Sequence, residues 1–177
     1  MKWLHLKQQE GGFSLIELLI YITIFSTMIG AVVGLAVLAS GQKANSQATS
    51  DVNYQGEAVM ALITQTVHQA TAITTPAPSA NASSLSLTMA TPAVNPTVFT
   101  TANDGTTTRM VMNEGSPATS SNLTNSHVTV SNLTFTNMSL PSSKGSVLIS
   151  YTISYRTNSA RQEFSVSKRF FGAATIP

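Results

Sequence analysis

The sequence predicts an α+β protein. A long N-terminal helix has a first half suited to crossing a membrane and a second half packed against an antiparallel β-sheet. Three observations predict this. No charged residue stands between Glu17 and Lys43. A more polar stretch then keeps apolar residues at three- and four-residue spacing. From Leu85 onward, short segments alternate apolar and polar residues, the period of a half-buried strand.

The totals set the frame. A chain of 177 residues has room for one modest domain plus an extra element. Charged residues are 9% of the chain and the formal net charge is +2, too weak a balance to call for nucleic acid or any other charged partner. Hydrophobic residues make up 42% and there is no charged tract, which excludes the composition of a disordered chain. Cysteine is absent. That excludes a disulfide framework and a thiolate metal site, and leaves the compartment open.

The first element is the apolar run. Residues 18–39 span 22 positions, with Thr23, Ser26 and Thr27 the polar members. At 1.5 Å per residue this gives about 33 Å of helix, enough for a hydrocarbon layer of about 30 Å. Lys2, His5 and Lys7 stand before it against Glu10, and Lys43 and Asp51 follow it. The positive-inside rule therefore places the N-terminus in the cytoplasm and the rest outside.

Three readings of the start, "GGFSLIE" at residues 11–17, compete. A secretory signal fits the basic start, with Val37-Leu38-Ala39 as a cleavage site. Its apolar region would normally be only about 7–15 residues, however. A plain anchor would use Ser14 and Glu17 as a capping box for the helix start, with the carboxylate at the positive end of the helix dipole. That reading explains Glu17 but not Gly11-Gly12.

The third reading takes the features together. The short basic leader of residues 1–12, Gly12 before Phe13, Glu17 fifth after the junction and a long apolar helix resemble the class III signal of type IV pilins and type II secretion pseudopilins. The resemblance implies cleavage between Gly12 and Phe13 by a prepilin peptidase/methyltransferase, and methylation of the new Phe13 amine. It implies that Glu17 neutralises the Phe13 amine of a neighbouring subunit during assembly. Such pairing is physically sensible, because an unpaired carboxylate in lipid or in a helix bundle is costly. A single buried polar group can also fix the stagger of packed helices. The implied partners are other pilin or pseudopilin subunits, an inner-membrane assembly platform and a separate cytoplasmic ATPase. The implied location is the bacterial cytoplasmic membrane and then an extracytoplasmic filament.

One position departs from the pattern. Major pilins often carry a proline about two-thirds through the apolar helix, where this chain has Gly34. Glycine keeps its N–H and breaks a helix less reliably, which favours a minor subunit. The outer part of the chain, from "VMALITQTVHQATAI" to "FFGAATIP", loosely resembles the J-type (W-like) minor pseudopilins. A major pilin and a non-polymerising single-pass surface binding protein are the alternatives.

The second half of the helix is expected to continue to about Ala72. Val52, Gly56, Val59, Ile63, Val67 and Ala70 form its stripe, widened by Met60, Leu62 and Ile73. Ala44 and Ala48 mark the inner face nearer the apolar run. A bend is expected near Gly41, and Thr75-Pro76 ends the helix. Strands follow. Leu85, Leu87 and Met89 alternate with polar residues, and Asn103-Asp104-Gly105 turns between Val98-Phe99 and Met110-Val111-Met112. Val128 and Val130 slip parity against Leu133 and Phe135, so a bulge or turn is expected at Ser131-Asn132. Val147, Ile149, Tyr151, Ile153 and Tyr155 alternate most clearly. Thr157-Asn158-Ser159 then turns the chain toward Phe164, Val166 and Phe170, making a central hairpin whose inner face covers the helical stripe. Residues 75–83 and 91–96 are expected to be exposed loops. The expected divisions are a leader at residues 1–12, a membrane and filament-core helix at 13–41, an amphipathic helix at 42–75 and a β-rich head at 76–177.

The remaining chemistry is sparse, and the expectation is no enzyme, no cofactor and no metal. His5 falls in the leader, His68 reads as a partly exposed helical histidine, and His127 precedes a strand. Asp104 and Glu114 flank a hairpin but are too few for calcium, which wants about six to eight oxygens. Asn122, Asn132 and Asn137 stand in N-x-S/T sequons, explained by chance in so Ser-, Thr- and Asn-rich a chain. Lys168-Arg169 beside Phe170-Phe171 reads as a solvated pair at a strand end rather than a nucleic-acid patch.

Overall fold

The computed structural model describes residues 14–140, 145–156 and 166–177. The leader, Gly12, Phe13, the turn at Thr157-Asn158-Ser159 and Phe164 lie outside the described residues. By its contacts the chain divides into Met1–Gly41 and Gln42–Pro177. Helix α1, Leu15–Gln69, contributes to both.

Within the first unit, the large apolar side chains from Leu15 to Leu38 are exposed. The hydroxyls in the run bond back to their own helix. Thr23 and Thr27 donate to the Ile20 and Ile24 carbonyls, each at 2.8 Å, and Ser40 donates to Ala36 at 2.9 Å. These bonds leave the backbone ladder intact and remove free polar groups from an apolar surface. The helix continues through Gly34 and Gly41.

The second unit holds the core. Ala48, Val52, Gly56, Val59, Ile63 and Val67 are buried on one face of α1, the stripe that the spacing predicts. The helix stops at Gln69, before the expected Ala72, and passes straight into β1, Ala70–Thr75. Tertiary pairing overrides helical periodicity here. β1 pairs antiparallel with β3, Leu85–Met89, and Thr71 donates its hydroxyl to the Thr88 carbonyl at 3.0 Å.

The strands form two sheets. One has the order β1-β3-β4-β5-β6, with β4 at Thr97–Asn103, β5 at Thr108–Glu114 and β6 at Thr119–Asn122. The other has the order β2-β7-β8-β9. Here β2 is Asn81–Ala82, β7 Val128–Asn137, β8 Ser146–Tyr155 and β9 Ser167–Thr175. Every pairing in both sheets is antiparallel. The parity slip at Ser131-Asn132 is a bulge within one continuous strand, with Asn132 at a φ of 53°. β8 and β9 pair as expected, but β8 is the inner strand and β9 stands at the sheet edge among the described residues.

Both sheets contribute to one core. Leu85, Leu87, Phe99 and Met110 come from the first, and Phe135, Ile149, Tyr151 and Ile153 from the second. Residues 75–83 are not a wholly exposed loop. Pro76 is buried, and its carbonyl accepts a hydrogen bond from Asn137 Nδ2 at 2.8 Å. The amide of that sequon is therefore engaged in the interior.

The helix and the second sheet meet closely at Gly56. The Tyr151 hydroxyl donates to the Gly56 carbonyl at 2.7 Å. The Tyr151 ring stacks on Phe170 with centroids 5.5 Å apart and planes 20° from parallel. A Cβ at Gly56 would overlap the Phe170 ring. Glycine is required there because ring and backbone approach too closely for any side chain.

Candidate functional site

The start of α1 collects the features that the rest of the chain does not explain. Ser14 precedes the helix, and its carbonyl accepts from the Leu18 N–H at 3.1 Å. Glu17 sits in the first turn and is exposed. Among the described residues, no side-chain hydrogen bond joins Ser14 and Glu17. The Glu17 carboxylate likewise has no ion-pair partner among them.

Beyond Glu17 the helix presents apolar side chains all round. Leu18, Leu19, Ile22, Phe25, Ile29, Val33 and Leu38 are each about half exposed or more. An 18-residue window of α1 reaches a mean hydropathy of 2.3 with none of it buried. So large an apolar surface needs lipid or other helices around it. The arrangement offers one carboxylate at a fixed height on an apolar helix, with its positive helix end alongside.

Residues 7–38 match the family described as the prokaryotic N-terminal methylation motif. The match supports a class III signal of the type IV pilin and pseudopilin kind at this N-terminus. Together with the apolar helix it fits a membrane-anchored pilin-type subunit, processed by a prepilin peptidase and assembled with other pilins. No curated protein and no solved structure matches the chain.

The other candidate residues are scattered. His68 and His127 are exposed and lie on α1 and just before β7. Asp104 and Glu114 stand at opposite ends of the β4–β5 hairpin, since β5 runs from Thr108 to Glu114 and Asp104 lies in the turn. The Asp104 oxygens are occupied. One accepts from the Thr107 N–H at 2.7 Å and the Thr106 N–H at 3.0 Å, and the other pairs with Arg109. The backbone N–H groups of Thr107 and Thr106 hold the Asp104 carboxyl well below the usual carboxylate range, with Arg109 adding to the effect. This carboxylate ties the turn together.

Lys168 and Arg169 point to opposite faces of β9. Lys168 Nζ reaches Asn53 Oδ1 at 2.7 Å and lies 5.2 Å from the Phe170 ring centroid. Arg169 donates to Ser150 Oγ at 3.3 Å and lies 4.4 Å over Phe171. Both are exposed at the start of β9, as a solvated pair at a strand end should be, but they are divided between its faces. Strand alternation was the signal that could have found this division.

Proposed function

We propose that this chain is a structural minor subunit of a type IV pilus-like or type II secretion filament, on the loose resemblance of its outer part to the J-type pseudopilins. The carrying observation is Glu17. It is a lone carboxylate without a partner among the described residues, at the head of an exposed apolar run inside the matched motif. Cleavage between Gly12 and Phe13 would create a cation at the same membrane face. Pairing Glu17 with the Phe13 amine of the next subunit would satisfy both charges and fix the axial stagger of the packed helices. The helix continues through Gly34, where a proline would break it, in keeping with a minor role. The head would then stand outside the cytoplasmic membrane, and the work of extension would come from a separate ATPase.

Two measurements test this. Co-expression with a prepilin peptidase should remove twelve residues, leave Phe13 at the N-terminus and add one methyl, read by intact mass. A full-length product, or one cut after Ala39, rejects the processing step. Glu17→Gln should leave cleavage intact but strongly reduce the ratio of filament-bound to membrane-bound subunit. Breaking a buried pair costs about 3–5 kcal/mol, whereas loss of a cap alone would be mild because glutamine also serves there. Normal incorporation of Glu17→Gln rejects the pairing.

A further inference from the structure

β9 leaves one side of its backbone unpaired among the described residues. Its register with β8 is unbroken from Ser146↔Thr175 to Ser154↔Ser167. Hydrogen bonds flank this register at both ends, from the Tyr155 N–H to the Val166 carbonyl and from the Ile176 N–H to the Gly145 carbonyl. Antiparallel alternation then turns the N–H and C=O of residues 166, 168, 170, 172, 174 and 176 toward β8. Arg169, Phe171 and Ala173 turn theirs outward.

The ground beneath that free edge is also open. Lys168 touches Asn53, Phe170 meets Gly56 and Gly172 packs on Met60, so β9 runs along one flank of α1. The same flank continues past Met60 into an open groove of about 670 Å³, lined by Glu57, Ala61, Thr64 and His68 among others. A strand added to β9 would pair with its backbone and lay alternate side chains over this groove. Charge indicates the occupant. Lys168 and Arg169 carry one end of the edge, and neither meets a carboxylate among the described residues. Gly172, Ala173 and Ala174 carry the other end with no charge and no bulk. Phe171, 61% exposed, stands between them.

We propose that β9 is a docking edge for an extended segment of another protein. That segment is acidic where it faces Lys168 and Arg169 and apolar where it crosses Gly172 to Ala174. Main-chain hydrogen bonds would supply affinity, and the basic end would set direction. The proposal does not depend on filament assembly. It is tested on the single full-length chain in detergent micelles, so a chain that is processed and polymerises but binds no peptide rejects this proposal alone.

The probe is a labelled ten-residue peptide of alternating threonine and valine with two glutamates at one end, followed by fluorescence anisotropy. It should bind in a salt-sensitive way and slow amide exchange at Arg169, Phe171 and Ala173, but not at Phe170 or Gly172. Ala173→Pro removes an outward N–H without touching the β8 ladder, and should weaken binding about tenfold. Reversing charge with Lys168→Glu and Arg169→Glu should transfer preference to the same peptide carrying lysines, a readout independent of how well the proline variant folds. Equal binding of acidic and basic peptides, or unchanged exchange at the three outward amides, overturns the proposal. So does spontaneous disulfide dimerisation of Ala173→Cys without peptide, because the edge would then belong to a second copy of this chain.

Discussion

Tyr151 and Gly56 show how single residues join helix to sheet. The Tyr151 hydroxyl is buried against the Gly56 carbonyl, and burial raises its pKa above the ordinary value of 10.0. Replacing it by phenylalanine removes one hydrogen bond and should lower stability by about 1 kcal/mol at neutral pH. The sign with pH follows from linkage. A raised folded pKa gives stability that is complete below pH 10.0 and is lost as pH rises through the folded value. Urea midpoints at pH 7 and pH 11 should therefore show the gap between wild type and Tyr151→Phe narrowing as pH rises. Gly56→Ala makes the opposite kind of change. It gains about 1 kcal/mol of helix propensity but drives a methyl into the Phe170 ring. Overpacking of about 1–3 kcal/mol should win. Phe170→Leu should partly rescue it, and a double-mutant cycle would read the coupling.

Elements are held by different means. The β7 bulge rests on Asn132, whose φ of 53° suits asparagine or glycine and penalises a β-branched residue. Asn132→Val should cost about 1–2 kcal/mol, while Asn132→Gly should be nearly neutral in thermal unfolding. The β4–β5 hairpin is closed at its tip by Asp104, whose carboxylate binds the Thr106 and Thr107 N–H groups. Its depressed pKa gives local stability that is present above the ordinary value of 3.8 and fades as pH falls below it. Amide exchange at Thr106 and Thr107, corrected for intrinsic rates, should lose protection in strong acid. In Asp104→Asn that protection should be lower at neutral pH and no longer respond to acid. α1 uses both of its available surfaces differently: apolar all round in its first part, apolar on one stripe in its second.

At the scale of the molecule, the two units ask for different solvents. Among the described residues, every buried hydrophobic residue lies at Ala48 or beyond, within the unit Gln42–Pro177. A fragment of residues 42–177 should therefore fold cooperatively in water without detergent. Full-length protein should need detergent or lipid to stay dispersed. Circular dichroism and a single urea transition for the fragment would check the first, and sedimentation with and without detergent the second. A fragment that unfolds non-cooperatively would mean that the head depends on the apolar helix for its stability.

The chain alone determined the local patterns, because each rests on near neighbours. The apolar run, the stripe through Val52, Val59, Ile63 and Val67, the alternation of β3 and β8 and the bulge at Ser131-Asn132 all follow from residue spacing. Glu17 stood out by composition, as the one charge at the head of an apolar helix. Tertiary structure decided what depends on distant partners. The helix ends at Gln69 where β3, Leu85–Met89, pairs with Ala70–Thr75; the β-branched Thr71, Ile73, Thr74 and Thr75 allow a strand there, while the apolar spacing through Ile73 allows continued helix, so the partner decides. The division of strands into two sheets, the hydrogen bond from Asn137 to the Pro76 carbonyl and the place of β9 at an edge are likewise questions of which segments meet. Whether Ser14 and Glu17 cap the helix was a matter of side-chain geometry, which spacing permits but does not impose. The contact of Tyr151 with Gly56 joins residues 95 positions apart. Periodicity assigned each a face, and only the packed core could bring those faces together.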